Sequence, residues 1–128
     1  MLAAALRDGI SPQSTFISRE LSFHFQDEFY EIHNYNFIER GKISVSDAMA
    51  ESDNTVFVQL AADVDLNDVV ETAEDLGITS PVDPYPSTAI GGLGTGISQL
   101  DMASAYSTFA GGGIHREPYS IESIDRNS

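Results

Sequence analysis

Residues 52–62 read Ser52-Asp53-Asn54-Thr55-Val56-Phe57-Val58-Gln59-Leu60-Ala61-Ala62, a polar triplet followed at once by an apolar run. A run that is apolar on nearly every side predicts a helix at the centre of a domain rather than at its surface. The triplet therefore places a hydroxyl and a carboxamide at the N-terminus of a buried helix, whose dipole adds a positive end. A Ser hydroxyl can donate and accept a hydrogen bond at once, and an Asn amide offers a fixed donor and acceptor suited to a peptide amide.

Taken alone, the pattern Ser-x-Asn is a weak signal. Ser and Asn also precede helices because their side chains cap free backbone N–H groups. The triplet acquires a functional meaning only from the rest of the chain.

The segment before residue 44 predicts one short helix and several short strands. Residues 1–6 are strong helix formers, Gly9 suits a left-handed cap, and Pro12 prevents continuation. Between residues 14 and 40, aromatic and branched residues are interspersed with polar ones, which favours short strands and ordered loop. The clearest strand signal is the period of two over residues 21–26.

The segment from residue 44 onward predicts mainly helices. Besides the central helix, each predicted start has a capping residue with an acid three positions later. These pairs are Ser44 with Asp47, Asp65 with Asp68, and Ser98 with Asp101. The first of these helices ends near Glu51, the second is an amphipathic surface helix that Gly77 stops, and the third reaches about Ala110.

Two further expectations concern the C-terminal third. In the last helix the spacing predicts an inward face made of Leu100, Ala103 and Tyr106. After it, residues 118–124 predict a strand, which would need a sheet to pair with.

The charge balance excludes several partners. The 128 residues, about one domain in length, carry a formal net charge of −14. Nucleic acid is excluded because phosphate binding needs clustered Lys and Arg, and contact with an anionic membrane surface is disfavoured for the same reason. The acidic surface is interpreted as a solvated face.

No metal, cofactor or redox site is predicted. The chain has no Cys, and its three His residues share no spacing that would suit zinc. The glycines of residues 91–96 lack the Lys of a phosphate-binding loop, and the acids of residues 63–68 lack the spacing of a calcium loop. Since no apolar run approaches the roughly 20 residues of a membrane helix, this segment is expected to be soluble.

A series of short motifs, in order, resembles the transpeptidase domain of class A, bifunctional penicillin-binding proteins. The series is Asn34-Tyr35, Gly41-Lys42-Ile43-Ser44-Val45, Ala48-Met49-Ala50-Glu51-Ser52-Asp53-Asn54, Leu76-Gly77-Ile78, Tyr85-Pro86-Ser87, Gly91-Gly92-Leu93, Met102-Ala103-Ser104-Ala105-Tyr106 and Gly112-Gly113. The resemblance implies the α+β fold of the penicillin-binding protein and β-lactamase-like transpeptidases, of which this chain would be mainly the helical part with short strand pieces.

The resemblance also implies roles for the triplet. Ser52 would shuttle a proton to the leaving amine, Asn54 would bind the amide of the substrate, and Asp53 would support the loop. The implied enzyme is a serine DD-transpeptidase, anchored in the bacterial cell membrane and acting at its extracytoplasmic face. The complete domain would cross-link peptidoglycan stem peptides through an acyl-enzyme and bind β-lactams, without a cofactor.

Two motifs of this family are missing, namely the Ser-x-x-Lys nucleophile and the Lys-Thr-Gly strand. Neither can be assembled, because the only lysine is Lys42. The resemblance places the first just before Met1 and the second beyond Ser128. Residues 1–128 are therefore interpreted as a partial transpeptidase domain, truncated at both ends, that contains no nucleophile and is inactive alone.

Two alternatives remain open. The chain could be a non-catalytic helical module that keeps this scaffold and binds a protein through its acidic surface. The parent could also be a sensor or a hydrolase with the same fold, since these share the Ser-x-Asn motif.

Overall fold

The computed structural model describes residues 1–25 and 27–125, and five α-helices dominate this part of the chain. The helices are α1 (Leu2–Arg7), α2 (Val45–Ala50), α3 (Asn54–Asp63), α4 (Leu66–Asp75) and α5 (Gln99–Ala110). Short 3-10 segments lie at Tyr35–Phe37 and Pro86–Ile90. The predicted helices are therefore confirmed.

In the part of the chain that the structure describes, four short strands pair into two antiparallel ribbons. They are β1 (Thr15–Ser18), β2 (Leu21–Phe25), β3 (Glu28–Ile32) and β4 (Gly41–Ser44). In the first ribbon Ser18 lies opposite Gly41, and in the second Leu21 lies opposite Ile32. The strand predicted from the period of two is confirmed as β2, except for Gln26, which lies outside the described residues.

Helix α3 lies at the centre of the apolar core, as its sequence predicted. Val56 and Leu60 are completely buried, and Phe57 is nearly so. They form one apolar cluster with buried residues of α1, α2 and α4 and with the residue that follows α3. These further members are Ala4, Ala5, Val45, Ala48, Val64 and Val69. The burial of α3 on nearly all sides explains why its sequence lacks an amphipathic pattern.

The helix boundaries follow the capping signals of the sequence. The hydroxyl of Ser44 accepts a hydrogen bond from the N–H of Asp47 at the start of α2, and Ser98 does the same for Asp101 at the start of α5. Helix α1 ends in a Schellman motif, because the N–H of Ile10 bonds to the carbonyl of Ala5 and Gly9 adopts a φ of +87°.

The prediction of an inward face on α5 is wrong. Leu100, Ala103 and Tyr106 are exposed, and the buried face consists of Asp101, Ser104, Ala105 and Thr108. Polar contacts set this rotation of the helix. The Asp101 carboxylate accepts hydrogen bonds from both the hydroxyl and the N–H of Thr79 and of Ser80, and the Thr108 hydroxyl donates to the carbonyl of Leu76.

The strand predicted over residues 118–124 is also wrong. These residues have no regular secondary structure, and Tyr119, Ile121 and Ile124 are mostly exposed. The physical reason is that no described strand lies beside them to complete a hydrogen-bonded ladder.

The hydrogen bonds that the Asp101 carboxylate accepts from Thr79 and Ser80 predict that the stability of the fold depends on pH. Hydrogen bonds from the side chain and then the backbone of Ser80 outweigh desolvation and, with Thr79 and Ser98, lower the pKa of Asp101 from 3.8 to about 2. Because the folded pKa is depressed, the ionised carboxylate stabilises the fold above pH about 4, and this contribution is lost as the pH falls towards 2. We expect Asp101→Asn to lower the Tm at pH 7 and the difference from the unsubstituted chain to narrow between pH 4 and pH 2.

Thermal unfolding followed by circular dichroism at pH 7, 4, 3 and 2 measures this difference. Asp83→Asn, at an exposed position, is the matched control and should give a small difference at every pH. A Tm difference between Asp101→Asn and the unsubstituted chain that stays constant down to pH 2 would contradict the lowered pKa of Asp101.

Candidate active site

A pocket of about 280 Å³ lies where the C-terminus of α2 meets the N-terminus of α3. Both predicted site residues, Ser52 and Asn54, line it. Its other lining residues come from α1, α2, α3 and the 3-10 segment, and are Met1, Leu2, Met49, Asp53, Phe57, Ala89 and Ile90. The pocket therefore combines an apolar wall with a hydroxyl and a carboxamide.

Ser52 occupies a backbone position that usually belongs to glycine. Helix α2 ends in a Schellman motif, in which the N–H of Ser52 bonds to the carbonyl of Met49 and the N–H of Asp53 bonds to that of Ala48. Ser52 is the left-handed residue of this motif, with φ of +53°. Its side chain is exposed, so the hydroxyl is presented at a sharp, fixed corner between two helices.

Asp53 points the opposite way and is completely buried. It is the N-cap of α3, because its Oδ1 accepts from the N–H of Val56 at 3.0 Å and from the hydroxyl of Thr55 at 2.8 Å. Its Oδ2 accepts from three more distant groups, which are Ser18 Oγ at 2.6 Å, Asn34 Nδ2 at 2.9 Å and Arg40 Nη1 at 3.2 Å. One carboxylate thus joins the start of α3 to β1, to the segment after β3 and to the residue before β4.

The ionised state of Asp53 follows from these contacts. Burial opposes the charge and by itself would raise the pKa of Asp53. Hydrogen bonds from Ser18, Thr55, the N–H of Val56 and Asn34 outweigh burial and hold that pKa below the ordinary value of 3.8. Asp53 is therefore a charged structural support near neutral pH.

Asn54 is the first residue of α3 and is half-buried. Its Nδ2 donates to the backbone carbonyl of His33 at 3.2 Å. This bond fixes the orientation of the amide and uses only one of its two N–H groups. The second N–H and the Oδ1 acceptor can therefore pair with the N–H and C=O of a bound amide.

Sequence reasoning missed the parts played by Asn34 and Arg40. Buried Asn34 donates from Nδ2 to Asp53, Ser18 and the carbonyl of Ile38, and its Oδ1 accepts from the N–H of Thr55. The pair Asn34-Tyr35 had signalled only a resemblance. Asn34 and Arg40 lie in irregular segments, where no periodicity distinguishes a buried polar side chain from a solvated one.

The other sequence candidates lie outside this pocket. His24 packs against Phe29, and His33 stacks on Phe37 with 4.3 Å between ring centroids. Over residues 1–25 and 27–125 no group of three or more His, Cys, Asp or Glu side chains is arranged to hold a metal ion. None of the helices described is long and apolar enough to cross a bilayer.

A larger cavity of about 490 Å³ lies between β2 and α3. Its lining is almost entirely apolar and includes Phe23, Phe25, Val58 and Leu66. It offers a hydrophobic surface but no arrangement of acid, base and amide-binding groups, so the pocket at Ser52 is the better candidate for chemistry.

Comparisons with known proteins agree with this architecture. The family model described as "Penicillin binding protein transpeptidase domain" matches residues 1–127. Penicillin-binding protein 2D of Bacillus subtilis is 32% identical over 123 residues, which are 94% of this chain and 18% of that protein. Penicillin-binding protein 1A of Rickettsia felis is 31% identical over 127 residues, which are 97% of this chain and 16% of that protein.

Solved structures show the same fold. Penicillin-binding protein 1A from Haemophilus influenzae superposes with a TM-score of 0.83 at 21% identity, over 92% of this chain and 18% of that one. PonA1 from Mycobacterium tuberculosis superposes with a TM-score of 0.73 at 24% identity, over 91% of this chain and 32% of that one. The predicted α+β transpeptidase fold is confirmed, and the chain spans less than a fifth of the two curated relatives named above.

The left-handed backbone of Ser52 predicts an unusual order of stability. A residue with a Cβ pays about 1 kcal/mol in this conformation, and glycine does not. We expect the free energy of unfolding of Ser52→Gly to exceed that of Ser52→Ala by about 1 kcal/mol. Urea unfolding followed by circular dichroism measures both values.

Ser46, which is exposed within α2, supplies the control. There the order should reverse, with Ser46→Gly less stable than Ser46→Ala by about 0.5 kcal/mol. The same order at both positions would contradict the left-handed assignment.

Proposed function

Because the chain belongs to the penicillin-binding protein transpeptidase domain family, we propose that it is one part of a serine DD-transpeptidase that cross-links peptidoglycan stem peptides through an acyl-enzyme and binds β-lactams. The observation that carries this proposal is the placement of Ser52 and Asn54 on one pocket. Asp53, between them, is turned into the protein interior, so the two outer residues of the triplet are available to a substrate.

Ser52 is the proposed proton shuttle. An exposed hydroxyl at a rigid corner can accept a proton from one partner and donate another to the departing amine, because Ser Oγ carries both a donor and acceptor lone pairs. The corner position matters, since proton transfer requires that the heavy atoms come within hydrogen-bond distance. The hydrogen bonds of the Schellman motif hold the backbone of Ser52 in place for this purpose.

Asn54 is the proposed substrate-binding residue. Its amide is already oriented by the carbonyl of His33, so little conformational entropy is lost when the remaining donor and acceptor bind a peptide or β-lactam amide. A neutral amide is a suitable partner for a neutral carboxamide in a partly apolar pocket.

The nucleophile belongs to another part of the proposed parent protein. Acyl transfer through a covalent intermediate needs a nucleophile with an activating base. We place the Ser-x-x-Lys motif before Met1 and the Lys-Thr-Gly strand after Ser128, so that residues 1–128 form a partial domain. Two observations support this placement: Met1 and Leu2 line the pocket with Ser52, and the apolar residues Leu100, Tyr106 and Phe109 of α5 are more than half exposed.

The location of the proposed enzyme follows from its substrate. Peptidoglycan is cross-linked outside the bacterial cell membrane, so the complete, membrane-anchored protein would act at the extracytoplasmic face.

Asn54→Ala tests the proposal in the longer polypeptide that contains the Ser-x-x-Lys motif. We expect the second-order rate constant for acylation by a fluorescent penicillin to fall about tenfold or more, because a lost transition-state contact costs tenfold for each ~1.4 kcal/mol. Asn67→Ala is the matched control, since Asn67 also lies in the first turn of a helix but its amide bonds only to Asp65. Unchanged acylation in Asn54→Ala would favour a non-catalytic module on the same scaffold.

The 128-residue chain itself gives the complementary test. Incubated alone with penicillin, it should show no mass increase equal to the drug, because the chain lacks the Ser-x-x-Lys motif that supplies the nucleophile and its base. Intact-protein mass spectrometry measures the adduct, and the longer polypeptide serves as the positive control. A drug adduct on Ser52 would contradict the proposal that Ser52 is a proton shuttle and that the nucleophile belongs to the Ser-x-x-Lys motif.

A further inference from the structure

One guanidinium group bonds to both sequence neighbours of Ser52. Arg40 Nη2 donates to Oε2 of Glu51 at 3.2 Å, and Arg40 Nη1 donates to Oδ2 of Asp53 at 3.2 Å. Glu51 is the C-cap residue of α2 and Asp53 is the N-cap residue of α3. The two nitrogens of Arg40 therefore span the corner at whose centre Ser52 lies.

Arg40 is itself held in place from the other side. Its backbone N–H donates to the hydroxyl of Ser18 at 3.2 Å, and Ser18 Oγ donates to Asp53 at 2.6 Å. The side chain of Arg40 is only 22% exposed. Ordering of this long side chain is thus largely complete before any ligand binds.

From this geometry we propose that Arg40 is a positioning residue for Ser52, fixing the corner so that the Ser52 hydroxyl is presented to the reacting amide. The inference rests on the proposed function and adds to it a residue that lies outside the triplet Ser52-Asp53-Asn54. Arg40 does not line the pocket, so it acts through Glu51 and Asp53 rather than on the substrate.

Three physical features make the corner dependent on this arginine. Ser52 is held in a left-handed conformation that a residue with a Cβ avoids. Glu51 places a negative charge at the C-terminus of α2, which the helix dipole disfavours. The negative charges of Glu51 and Asp53 also repel each other across Ser52. The Arg40 cation offsets the two unfavourable charge effects, and its hydrogen bonds to Glu51 and Asp53 hold the residues on both sides of the strained Ser52. A planar guanidinium can contact both carboxylates at once, whereas an ammonium is a single point of charge.

A double-mutant cycle separates positioning of Ser52 from general stabilisation of the fold. In the longer polypeptide, the acylation rate constant is measured for Arg40→Met, Ser52→Ala and the double variant. We expect Arg40→Met to slow acylation about tenfold when Ser52 is present. When Ser52 is already replaced by Ala, Arg40→Met should slow acylation by less than about twofold, because the group that Arg40 positions has gone.

Two further variants exclude loss of folding as the explanation. Glu51→Gln removes one of the two carboxylate partners at a side chain that is 56% exposed, so it should keep the fold and slow acylation by about threefold, again only when Ser52 is present. Arg7→Met removes an arginine that likewise contacts two side chains, Thr72 and Asp75, between α1 and α4. We expect it to lower the Tm without a tenfold loss of acylation.

The outcomes distinguish this inference from the function on which it rests. If Arg40→Met slows acylation by the same factor whether residue 52 is Ser or Ala, and Glu51→Gln does likewise, the positioning role is overturned even if Ser52 is essential. Acylation that is unaffected by Ser52→Ala would instead overturn the proposed proton shuttle. Strong coupling of Arg40 to Ser52, with a weak effect of Arg7→Met, supports the inference.

Discussion

The buried carboxylate of Asp53 is the constraint on which the site depends. A charge removed from water is strongly unfavourable unless hydrogen bonds and a counter-ion compensate it. Here Ser18, Asn34, Arg40 and the first turn of α3 together provide five donors. The chain must bring β1, the segment after β3 and the start of β4 against α3 to satisfy this one group. The position of the α2–α3 corner is therefore set by a polar network, while the apolar core sets the position of α3 itself.

The same network explains how three adjacent residues can have different tasks. Ser52 closes α2, Asp53 caps α3 and Asn54 begins α3, so the chain turns between two helices without a connecting loop. This tight turn directs the middle side chain inward and leaves the outer two on the pocket. It also forces Ser52 into a conformation that suits glycine. The proposed proton-shuttle role of the Ser52 hydroxyl would account for a serine at this position despite its cost in stability.

Sequence reasoning found what local signals encode and missed what distant contacts decide. Caps and breakers gave the helix boundaries, because Ser44, Ser98 and Gly9 act on backbone groups within a few residues. Their physics is local. The face that α5 buries depends instead on Asp101 meeting residues 79–80, and hydrophobic spacing could not reveal a helix that buries its polar side. Arg40 was missed for the same reason, since its partners lie 11 and 13 positions away.

The distribution of charge limits what this pocket can recognise. The N-terminus of α3 was expected to add a positive end, but the Asp53 carboxylate caps it and offsets the positive end of the helix dipole. Arg40 in turn pairs with Asp53 and Glu51, and no side chain that lines the pocket is cationic. The proposed recognition of a substrate at this pocket therefore relies on hydrogen bonds to a neutral amide and on apolar contact. An anionic group on the same ligand, such as a terminal carboxylate, would need a cation from outside this pocket, which is consistent with a cleft whose opposite wall comes from another part of the proposed enzyme.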